Sequence, residues 1–285
     1  MSSPSARLRR LLGEPGLLRA PGVFDGISAH LARRAGFDAA YATGAGIAAS
    51  GFGLPDIGLV TQTEMVERIG VLAGATELPL IADADTGYGN PVHVVRTVRA
   101  YERAGVAAMH LEDQAFPKRC GHLADKELIE VDEYLPKLAA ALEHREDDIV
   151  VIARTDARGP LGLDEAIRRA RRYAAEGADA VFVEAPQSRV EIERVADEVG
   201  RDTGVPLVFN VVPGGLTPDV DDADLEGWGF AAALYPGALL APVATAAGRA
   251  LAAMGGAPAA AVGGPAGLFD VVGLAAWADL DKRYR

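Results

Sequence analysis

The stretch Arg34-Ala-Gly-Phe-Asp-Ala39 recurs in two further forms, as Arg103-Ala-Gly-Val-Ala-Ala108 and Ala175-Glu-Gly-Ala-Asp-Ala180. In each copy a glycine follows a segment with the 3.6-residue apolar period of an amphipathic helix, where a C-terminal cap is expected. Each copy then leads into a short apolar segment of the kind that forms a buried strand. The repeated unit therefore predicts an α/β protein in which helices alternate with parallel strands.

Outward from these copies, the chain contains eight strand candidates. They are residues 22–24, 39–43, 80–83, 107–111, 150–154, 180–183, 207–210 and 231–234. Amphipathic segments lie between most of them, at residues 27–35, 64–73, 92–104 and 164–176 among others. Eight such units predict a closed TIM (β/α)8 barrel. The alternative is an open, doubly wound sheet, which would normally carry a glycine-rich phosphate loop after its first strand; Phe24-Asp25-Gly26-Ile27 is not one.

The C-terminal part of the chain changes character after residue 254. Residues 255–267 are rich in Gly, Ala and Pro, and an apolar stretch follows at residues 268–280. We therefore expect residues 1–254 to form the catalytic barrel, and residues 255–285 to form a connection and an additional helix. Apolar residues such as Phe269 and Trp277 give this helix a face to bury, and we expect it to sit away from the barrel.

The composition excludes several classes of protein. Lys and Arg number 28 and Asp and Glu 40, which leaves a net charge of −12 and disfavours nucleic-acid binding. The single cysteine excludes a disulfide within the chain. Prolines interrupt the runs that could otherwise form a signal peptide (Pro15) or a membrane span (Pro236 and Pro242). We expect a cytoplasmic protein without nucleic-acid or membrane partners.

Acidic residues follow three of the predicted strands. Asp83 and Asp85 end the third strand, Glu112 ends the fourth, and Asp56 lies in the loop after the second. Because the carboxyl ends of the strands meet at the active-site face of a TIM barrel, these carboxylates would repel one another unless a cation lay among them. Oxygen ligands without a His/Cys cluster suit Mg²⁺ or Mn²⁺. For Asp83 and Asp85 alone the alternative is a turn or a solvated pair, and Glu112 favours the metal.

Three further polar side chains end predicted strands. Arg154 ends the fifth strand, where it can clamp a substrate carboxylate through two hydrogen bonds. The alternative for Arg154 is a structural ion pair with Asp83 or Glu112. Glu184 ends the sixth strand and Asn210 the seventh, and both can hold a substrate oxygen or a metal-bound water. The sequence thus predicts a site for a small carboxylate substrate.

The segment Lys118-Arg119-Cys120-Gly121-His122 lies between the fourth and fifth strands. A thiol flanked by two cations and an imidazole predicts a lowered pKa and a reactive cysteine. We expect the loop at residues 113–126, with its glycine, its charges and few anchors, to close over a bound ligand and to supply a proton donor. The alternative is an inert, buried cysteine, against which the polar neighbours argue.

This loop resembles the signature of isocitrate lyases and 2-methylisocitrate lyases. Further segments are similar to the isocitrate lyase/phosphoenolpyruvate mutase superfamily in order and spacing: residues 41–44 (Tyr-Ala-Thr-Gly), 54–56 (Leu-Pro-Asp), 83–89 (Asp-Ala-Asp-Thr-Gly-Tyr-Gly), 111–114 (Leu-Glu-Asp-Gln) and 153–157 (Ala-Arg-Thr-Asp-Ala). The resemblance runs from about residue 21 to residue 235, and residues 269–274 resemble the tail. It implies a homotetramer whose last helix is swapped between subunits.

The resemblance also implies roles for the candidate residues. Asp83 would bind Mg²⁺ directly, and its water ligands would be held by Asp56, Asp85 and Glu112. Arg154 would steady the oxyanion, Cys120 would protonate the leaving carbanion, and the far carboxylates of the substrate would be gripped by Lys118, Gly121 and His122. The pocket would be lined by Tyr41, Thr43, Gly44 and Ala45.

Three positions depart from the pattern of the resembled lyases. Pro213 stands where an acid usually follows the seventh strand, Leu123 where methylisocitrate lyases usually carry an arginine, and Thr43 where the pocket usually has a serine. The resemblance implies a lyase that cleaves a C–C bond of a 2-hydroxy di- or tricarboxylate, methylisocitrate- or dimethylmalate-like, to a 2-oxoacid and a second carboxylate. The alternatives are a carboxyphosphonoenolpyruvate-type phosphonomutase, an oxaloacetate hydrolase or decarboxylase, and a binding protein without catalytic activity.

Overall fold

The computed structural model describes residues 3–123, 125–257 and 261–284, so residues 1, 2, 124, 258–260 and 285 of the predicted segments 1–254 and 255–285 lie outside the described residues. The strands form a closed barrel: β1 (Leu18–Val23), β2 (Ala40–Ala42), β3 (Leu80–Asp83), β4 (Ala108–Glu112), β5 (Val150–Thr155), β6 (Ala180–Val183), β7 (Leu207–Asn210) and β8 (Ala232–Tyr235). Each strand runs parallel to its neighbours, and β8 pairs with β1. The predicted TIM barrel is confirmed.

Helices cover the outside of the barrel and follow its strands. They are α1 (Pro4–Gly13), α2 (Gly26–Arg34), α3 (Gly44–Ile47), α4 (Gln62–Thr76), α5 (Pro91–Arg103), α6 (Val131–His144), α7 (Arg158–Leu161), α8 (Leu163–Ala175), α9 (Arg189–Val195), α10 (Asp222–Trp228), α11 (Leu240–Ala253), α12 (Gly264–Val271) and α13 (Leu274–Tyr284). π-helical turns extend α3 and α9, over Ala48–Phe52 and Ala196–Arg201. All four of the helices predicted from their apolar period are present, with ends shifted by a few residues.

The strand bounds show where apolar runs predict structure well. The predicted strands at residues 80–83, 180–183 and 207–210 have the observed bounds. β1 begins earlier than predicted, because residues 18–21 pair with β8 from Leu18–Ala232 to Pro21–Tyr235. Arg19 and Pro21 interrupt the apolar run there, so hydrophobicity alone does not predict the first half of the strand.

The unpredicted helix α1 lies at the amino-terminal end of the barrel. Leu8 is fully buried in the cluster that fills the barrel interior, together with Ile81 and Phe182. Arg9 of the same helix bonds to Asp179, which directly precedes β6. This end of the barrel is therefore closed by α1, and a site can form at the opposite, carboxyl-terminal mouth.

The C-terminal stretch forms two helices where the sequence predicts one. α12 and α13 meet at Gly273, whose φ of 75° lies in the left-handed region that glycine adopts without strain. The expectation that this stretch sits away from the barrel is wrong for α12, since Phe269 is 1% exposed and Leu268 packs against the main core. No helix among the described residues has both the length and the apolar character needed to cross a membrane.

Candidate active site

The strand ends direct polar side chains into the carboxyl-terminal mouth of the barrel. The register places Asp83 of β3 beside His110 of β4, and Glu112 of β4 beside Arg154 of β5. Successive side chains of a strand point to opposite faces, so His110 and Glu112 share the inner face while Leu111 packs outward. The four polar side chains are buried. Because side chains alternate between the two faces of each strand, β3, β4 and β5 bring these four polar groups together at the buried mouth of the barrel.

Lys118 brings a cation into the acidic cluster. Its Nζ lies 2.5 Å from Asp56 Oδ1 and 2.9 Å from Asp85 Oδ1, and its side chain is 3% exposed. Burial alone would lower the pKa of Lys118, but Asp56 and Asp85, with smaller contributions from Asp83 and Glu112, raise that pKa well above its usual value. The four predicted metal-site carboxylates therefore surround one ammonium group.

One ammonium group does not balance this cluster. Both carboxylate oxygens of Glu112 are buried without a hydrogen bond, and burial raises the pKa of Glu112 well above its usual value. Burial also raises the pKa of Asp85 to about 7, although Lys118 opposes the shift. Such carboxylates indicate room for a further cation. Among the described residues, no three acidic, His or Cys side chains converge closely enough to hold an ion by themselves.

Asp83 is held closely against the backbone. The Asp85 N–H donates to Asp83 Oδ1 at 3.0 Å, and a Cβ added to Gly44 would lie 2.4 Å from Asp83 Oδ2. Burial would raise the pKa of Asp83, but the charges of Lys118 and Arg154 and the hydrogen bond from the Asp85 N–H lower it. Asp83 is therefore an ionised carboxylate in a fixed position, and Gly44 allows the backbone after β2 to approach it.

Arg154 is surrounded by carboxylates. Its Nε and Nη2 donate to Asp156 at 2.8 and 3.0 Å, and its Nη1 lies 3.3 Å from Glu112 Oε2. The guanidinium also lies over the Phe182 ring, 5.1 Å from the ring centroid. The ion pair with Glu112, an alternative to a substrate role, is present. Arg154 nevertheless lines the central cavity and is held there in one orientation.

His122, Glu184 and Asn210 form a chain of contacts across the mouth. The Leu216 N–H donates to His122 Nδ1 at 3.0 Å, so Nε2 carries the ring proton and lies 2.8 Å from Glu184 Oε1. Asn210 Nδ2 donates to the same carboxylate at 3.2 Å, while its buried Oδ1 has no partner. Burial would raise the pKa of Glu184, but Arg154 and His122 lower it to about 2. Asn210 Oδ1 is thus an acceptor available at the cavity wall.

The Cys120 thiol lines the cavity, but its environment differs from the predicted one. Burial, followed by the charge of Asp56, raises the pKa of Cys120 to about 12. The flanking cations are paired elsewhere, Lys118 with Asp56 and Arg119 with Asp281. The prediction of a lowered pKa is wrong, because cations adjacent in sequence are neutralised by carboxylates adjacent in space. Cys120 is a protonated thiol.

The loop that carries Cys120 is fastened at several points, so the expectation of few anchors is wrong. Gln114 exchanges two hydrogen bonds with the backbone of Arg119, at 2.8 and 2.9 Å. Lys126 Nζ donates to Asp156 Oδ1 at 3.0 Å and is buried. The charged and polar side chains that made the loop look exposed are the groups that hold it down.

Gly121 lets the loop approach the strand ends. A Cβ at this position would lie 2.5 Å from Arg154 Nη2 and 2.6 Å from Glu184 Cγ, closer than any real contact. The Gly121 carbonyl also accepts a hydrogen bond from Lys126 Nζ. The glycine is therefore required for the closed position of the loop.

Tyr41 of β2, Thr43 just after it and Ala45 of α3 line the same cavity, whereas Gly44, which the resemblance also implied, is not among its lining residues. The Tyr41 hydroxyl shares a 2.9 Å hydrogen bond with His110 Nε2. Burial lowers the pKa of His110 to about 4, so the ring is neutral. The sequence analysis does not include His110 among the candidate site residues. Its position two residues before Glu112, on the same face of β4, could have predicted that it lies in the site.

The cavity has a volume of about 410 Å³ and a second, apolar side. That side, termed the apolar wall, consists of residues 211–213 after β7, residues 240–242 at the start of α11, and Val262, Pro265, Leu268 and Phe269. The sequence reading did not predict the wall, because its three segments are distant in sequence and meet only in the fold. Pro213, in place of a usual acid, was the one local sign of it.

Comparison with known proteins gives consistent matches. A family model described as phosphoenolpyruvate phosphomutase matches residues 8–254. The chain is 44% identical to 2,3-dimethylmalate lyase of Eubacterium barkeri over 81% of this chain and 79% of that protein. It is 42% identical to 2-methylisocitrate lyase of Bacillus subtilis (strain 168) over 81% of this chain and 75% of that protein.

Solved structures match over nearly the whole chain. A crystal structure of 2,3-dimethylmalate lyase, described as a PEP mutase/isocitrate lyase superfamily member, has a TM-score of 0.85 and 40% identity, with 100% of this chain and 96% of that chain covered. Oxaloacetate acetylhydrolase in complex with the inhibitor 3,3-difluorooxalacetate has a TM-score of 0.85 and 37% identity, with 99% and 97% covered.

Proposed function

This chain belongs to the PEP mutase/isocitrate lyase superfamily, and on that premise we propose that it is a carbon–carbon lyase that cleaves a 2-hydroxy di- or tricarboxylate to a 2-oxoacid and a second carboxylate. The observation that carries this proposal is the shared cavity of Cys120, Arg154 and Asp83. A proton donor, a fixed cation and an ionised carboxylate there face the same small volume.

The cleavage of a 2-hydroxyacid requires that developing negative charge be stabilised and that a carbanion be protonated. A carboxylate that lines the cavity takes the hydroxyl proton, and the O–H electron pair then forms the C=O of the 2-oxoacid. The C–C bond then breaks and its electron pair stays on the departing carbon. Cys120, whose pKa is about 12, keeps its proton at neutral pH and can donate it to that carbon. Arg154 faces the oxygen on which charge develops.

The remaining cavity residues would bind and orient the substrate. Thr43 accepts a hydrogen bond from the Gly46 N–H. In this proposal a substrate carboxylate is bound by the N–H groups of Gly44 and Ala45 in the first turn of α3. Asn210 Oδ1 has acceptor capacity for a substrate hydroxyl. The other polar groups of the substrate would bind to residues of the Cys120 loop and to the residue that follows β6. These are Lys118, Gly121 and His122 of the loop, and Glu184.

The carboxylate cluster supports a divalent cation as cofactor. In this proposal Asp83 holds Mg²⁺ or Mn²⁺ directly, and its waters are held by Asp56, Asp85 and Glu112. The support is chemical: neither oxygen of Glu112 has a hydrogen bond, although Arg154 lies 3.3 Å away, and the pKa of Asp85 is raised to about 7, so further positive charge would stabilise both carboxylates. When bound, the ion would supply positive charge opposite the substrate oxygens.

The direct test offers candidate substrates to the purified protein with Mg²⁺ and follows the products by NMR. The candidates are malates substituted at C-2 and C-3, and methylisocitrate. The protein should cleave at least one of them and release a 2-oxoacid. Rearrangement of carboxyphosphonoenolpyruvate alone would assign a phosphonomutase instead. Turnover of oxaloacetate alone would assign a hydrolase or decarboxylase.

We further propose that the active form is a cytoplasmic homotetramer in which the last helix packs on another subunit. Support comes from exposed apolar side chains in the C-terminal helices. Val243, Leu251, Val271 and Leu280 are 53%, 61%, 65% and 45% exposed, respectively. Apolar side chains at such exposure are typical of a surface that another chain covers.

A further inference from the structure

Lys126 lies at the end of the loop that carries Cys120, and it is not among the lining residues of the cavity. Its side chain is nevertheless only 3% exposed. The ammonium group donates in two directions, to the Gly121 carbonyl at 2.5 Å and to Asp156 Oδ1 at 3.0 Å. One buried cation therefore joins the middle of the loop to the residue that follows β5.

Asp156 is the carboxylate that holds Arg154 in one orientation. Its Oδ2 accepts from Arg154 Nε at 2.8 Å, and its Oδ1 accepts from Arg154 Nη2 at 3.0 Å. The same Oδ1 also accepts from Lys126, so the two cations share one oxygen. Burial would raise the pKa of Asp156, but the charges of Arg154 and Lys126 lower it, and the carboxylate stays ionised. A displaced Lys126 would thus release part of the group that orients Arg154.

Both attachment points of this contact are themselves held. The Asp156 N–H donates to Asp113 Oδ1 at 2.9 Å, and Asp113 is fully buried. At the base of the loop, the Ala115 N–H donates to the Glu127 carbonyl at 2.8 Å. Lys126 directly precedes Glu127, so its backbone belongs to this fastened base, while its side chain reaches the middle of the loop.

The middle of the loop lies directly against Arg154. A Cβ added to Gly121 would lie 2.5 Å from Arg154 Nη2, so this approach requires the loop to be closed. We infer that Lys126 is a positioning residue, because its ammonium group holds both the closed loop and the carboxylate that orients Arg154. Cys120 and Arg154 are then kept in place together. The alternative is a lysine that only neutralises Asp156 and has no effect on the loop. The catalytic consequence rests on the proposed function, whereas the loop contact does not.

Lys126→Met tests the contact, because methionine has a similar length but neither the charge nor the donors. Loss of a hydrogen bond from a charged group should raise the open fraction of the loop by roughly 10–100-fold. Amide hydrogen exchange at Cys120, whose N–H donates to the Asp56 carbonyl, should speed up accordingly, while the amides of β5 stay slow. Lys137→Met, at another buried lysine on α6, is the matched control and should leave the loop unchanged. Wild-type loop exchange in Lys126→Met, or equal acceleration of loop and β5, would overturn the inference.

A measurement on the wild type decides the point if Lys126→Met does not fold. Trace acetylation with acetic anhydride labels a lysine amine in proportion to the time that it is exposed to solvent. Relative to the exposed Lys282, Lys126 should be protected by a factor similar to that of the Cys120 amide, because both are released when the loop opens. Acetylation of Lys126 as fast as Lys282, or protection far beyond that of the loop, would overturn the inference.

Kinetics separate this inference from the proposed function. In Lys126→Met, kcat for release of a 2-oxoacid should fall by up to roughly 10²-fold, since a misplacement of catalytic groups by about 1 Å can cost that much. Lys137→Met should match the wild type. Faster loop exchange in a protein that cleaves no 2-hydroxyacid would overturn the lyase and leave the loop contact standing. Cleavage by the wild type with unchanged loop exchange in Lys126→Met would overturn the inference and leave the lyase standing. Faster loop exchange with an unchanged kcat would overturn the positioning role.

Discussion

The Arg119 guanidinium donates to the Asp281 carboxylate at 2.7 Å, which ties the loop that carries Cys120 to the last helix, α13. The two side chains are 23% and 33% exposed. Solvent screening therefore limits such a pair to about 1 kcal/mol or less. The contact still couples the tail to the loop, because the backbone of Arg119 is also held by Gln114.

The loop at residues 113–126 should respond both to ligand and to this contact. We expect its amide hydrogens to exchange faster in the empty protein than with Mg²⁺ and a substituted succinate, an unreactive analogue of a substituted malate, bound. Asp281→Ala should speed exchange in the empty protein by up to about fivefold, the factor that corresponds to a partly exposed ion pair. Asp279→Ala, at an exposed position of the same helix, serves as control. Equally slow exchange with and without ligand would refute loop opening.

Removal of divalent metal should abolish activity. EDTA-treated protein should be inactive and should recover with Mg²⁺ or Mn²⁺, whereas full activity of metal-free protein would contradict the proposed cofactor. Asp83→Ala should cost more activity than Asp85→Ala. The reason is that the charges of Lys118 and Arg154 keep the pKa of Asp83 low against its burial, while burial raises the pKa of Asp85 to about 7. Calorimetric Mg²⁺ titration of both variants measures metal binding independently of turnover.

Asp179 should stabilise the barrel in a pH-dependent way. It accepts hydrogen bonds from Arg9, Arg145 and the Val151 N–H, and these lower its pKa although burial opposes them. Because the folded pKa lies below the ordinary value of about 3.9, this stabilisation is present above that value and is lost as the pH falls through the lowered pKa. Asp179→Asn should lower the free energy of unfolding at neutral pH by about 1–3 kcal/mol.

Urea unfolding at neutral and acidic pH measures this effect. The difference between wild type and Asp179→Asn should shrink as the pH falls below about 4. Asp148→Asn is the matched control, because Asp148 also bonds to Arg9 but its side chain is 65% exposed. Its effect should stay within about 0.5 kcal/mol. Equal losses in the two variants would show that burial of Asp179 is not what matters.

The fold could be predicted from sequence because its signals are local. Each βα unit carries its own apolar strand, three of the units carry a helix-ending glycine, at Gly36, Gly105 and Gly177, and eight units predict a closed barrel. α1 was not predicted, although its segment carries local helix signals: Ser3 caps it, Pro4 is its first residue, and Leu8 and Leu12 lie one turn apart on the buried face. What the sequence alone does not show is the place of the helix, which depends on Leu8 in the barrel interior and on the bond between Arg9 and Asp179.

The site was predictable in its residues but not in its electrostatics. Strand-end position and motif resemblance brought Asp83, Glu112 and Arg154 into the prediction, and the structure places all three at one mouth. The direction of the pKa shift at Cys120 was predicted wrongly, because the sequence alone shows Lys118 and Arg119 as cations without partners. Their carboxylate partners come from other loops and from α13, so the true sign of the pKa shift at Cys120 depends on the folded arrangement.

The C-terminal helices should mediate assembly. Sedimentation velocity at micromolar concentration should give a tetramer, and a monomer there would contradict the proposal. Replacing both Val271 and Leu280 by Asp should shift the protein to smaller species, because each puts a charge on an exposed apolar position of α12 or α13. Val190→Asp, which alters an equally exposed residue on α9, should leave the tetramer intact.

The last prediction is that Cys120 donates the proton in C–C cleavage. With its pKa at about 12, burial keeps the thiol protonated at neutral pH, as an acid must be before it acts. Cys120→Ser should keep ligand binding, because Asp83, Arg154 and Thr43 are unchanged. It should lower turnover by roughly 10²–10⁴-fold, the usual range for loss of a general acid.

The measurement compares wild type and Cys120→Ser for release of a 2-oxoacid, with the Kd of a substituted succinate, which cannot be cleaved, as the binding control. Gly227→Ala, on α10 and with no atom near the added Cβ, controls for a small surface change and should match the wild type in both readouts. A serine hydroxyl is a much weaker acid than a thiol, so an unchanged Kd with reduced kcat assigns the loss to proton transfer. Cleavage by Cys120→Ser at the wild-type rate would show that the proton comes from another group.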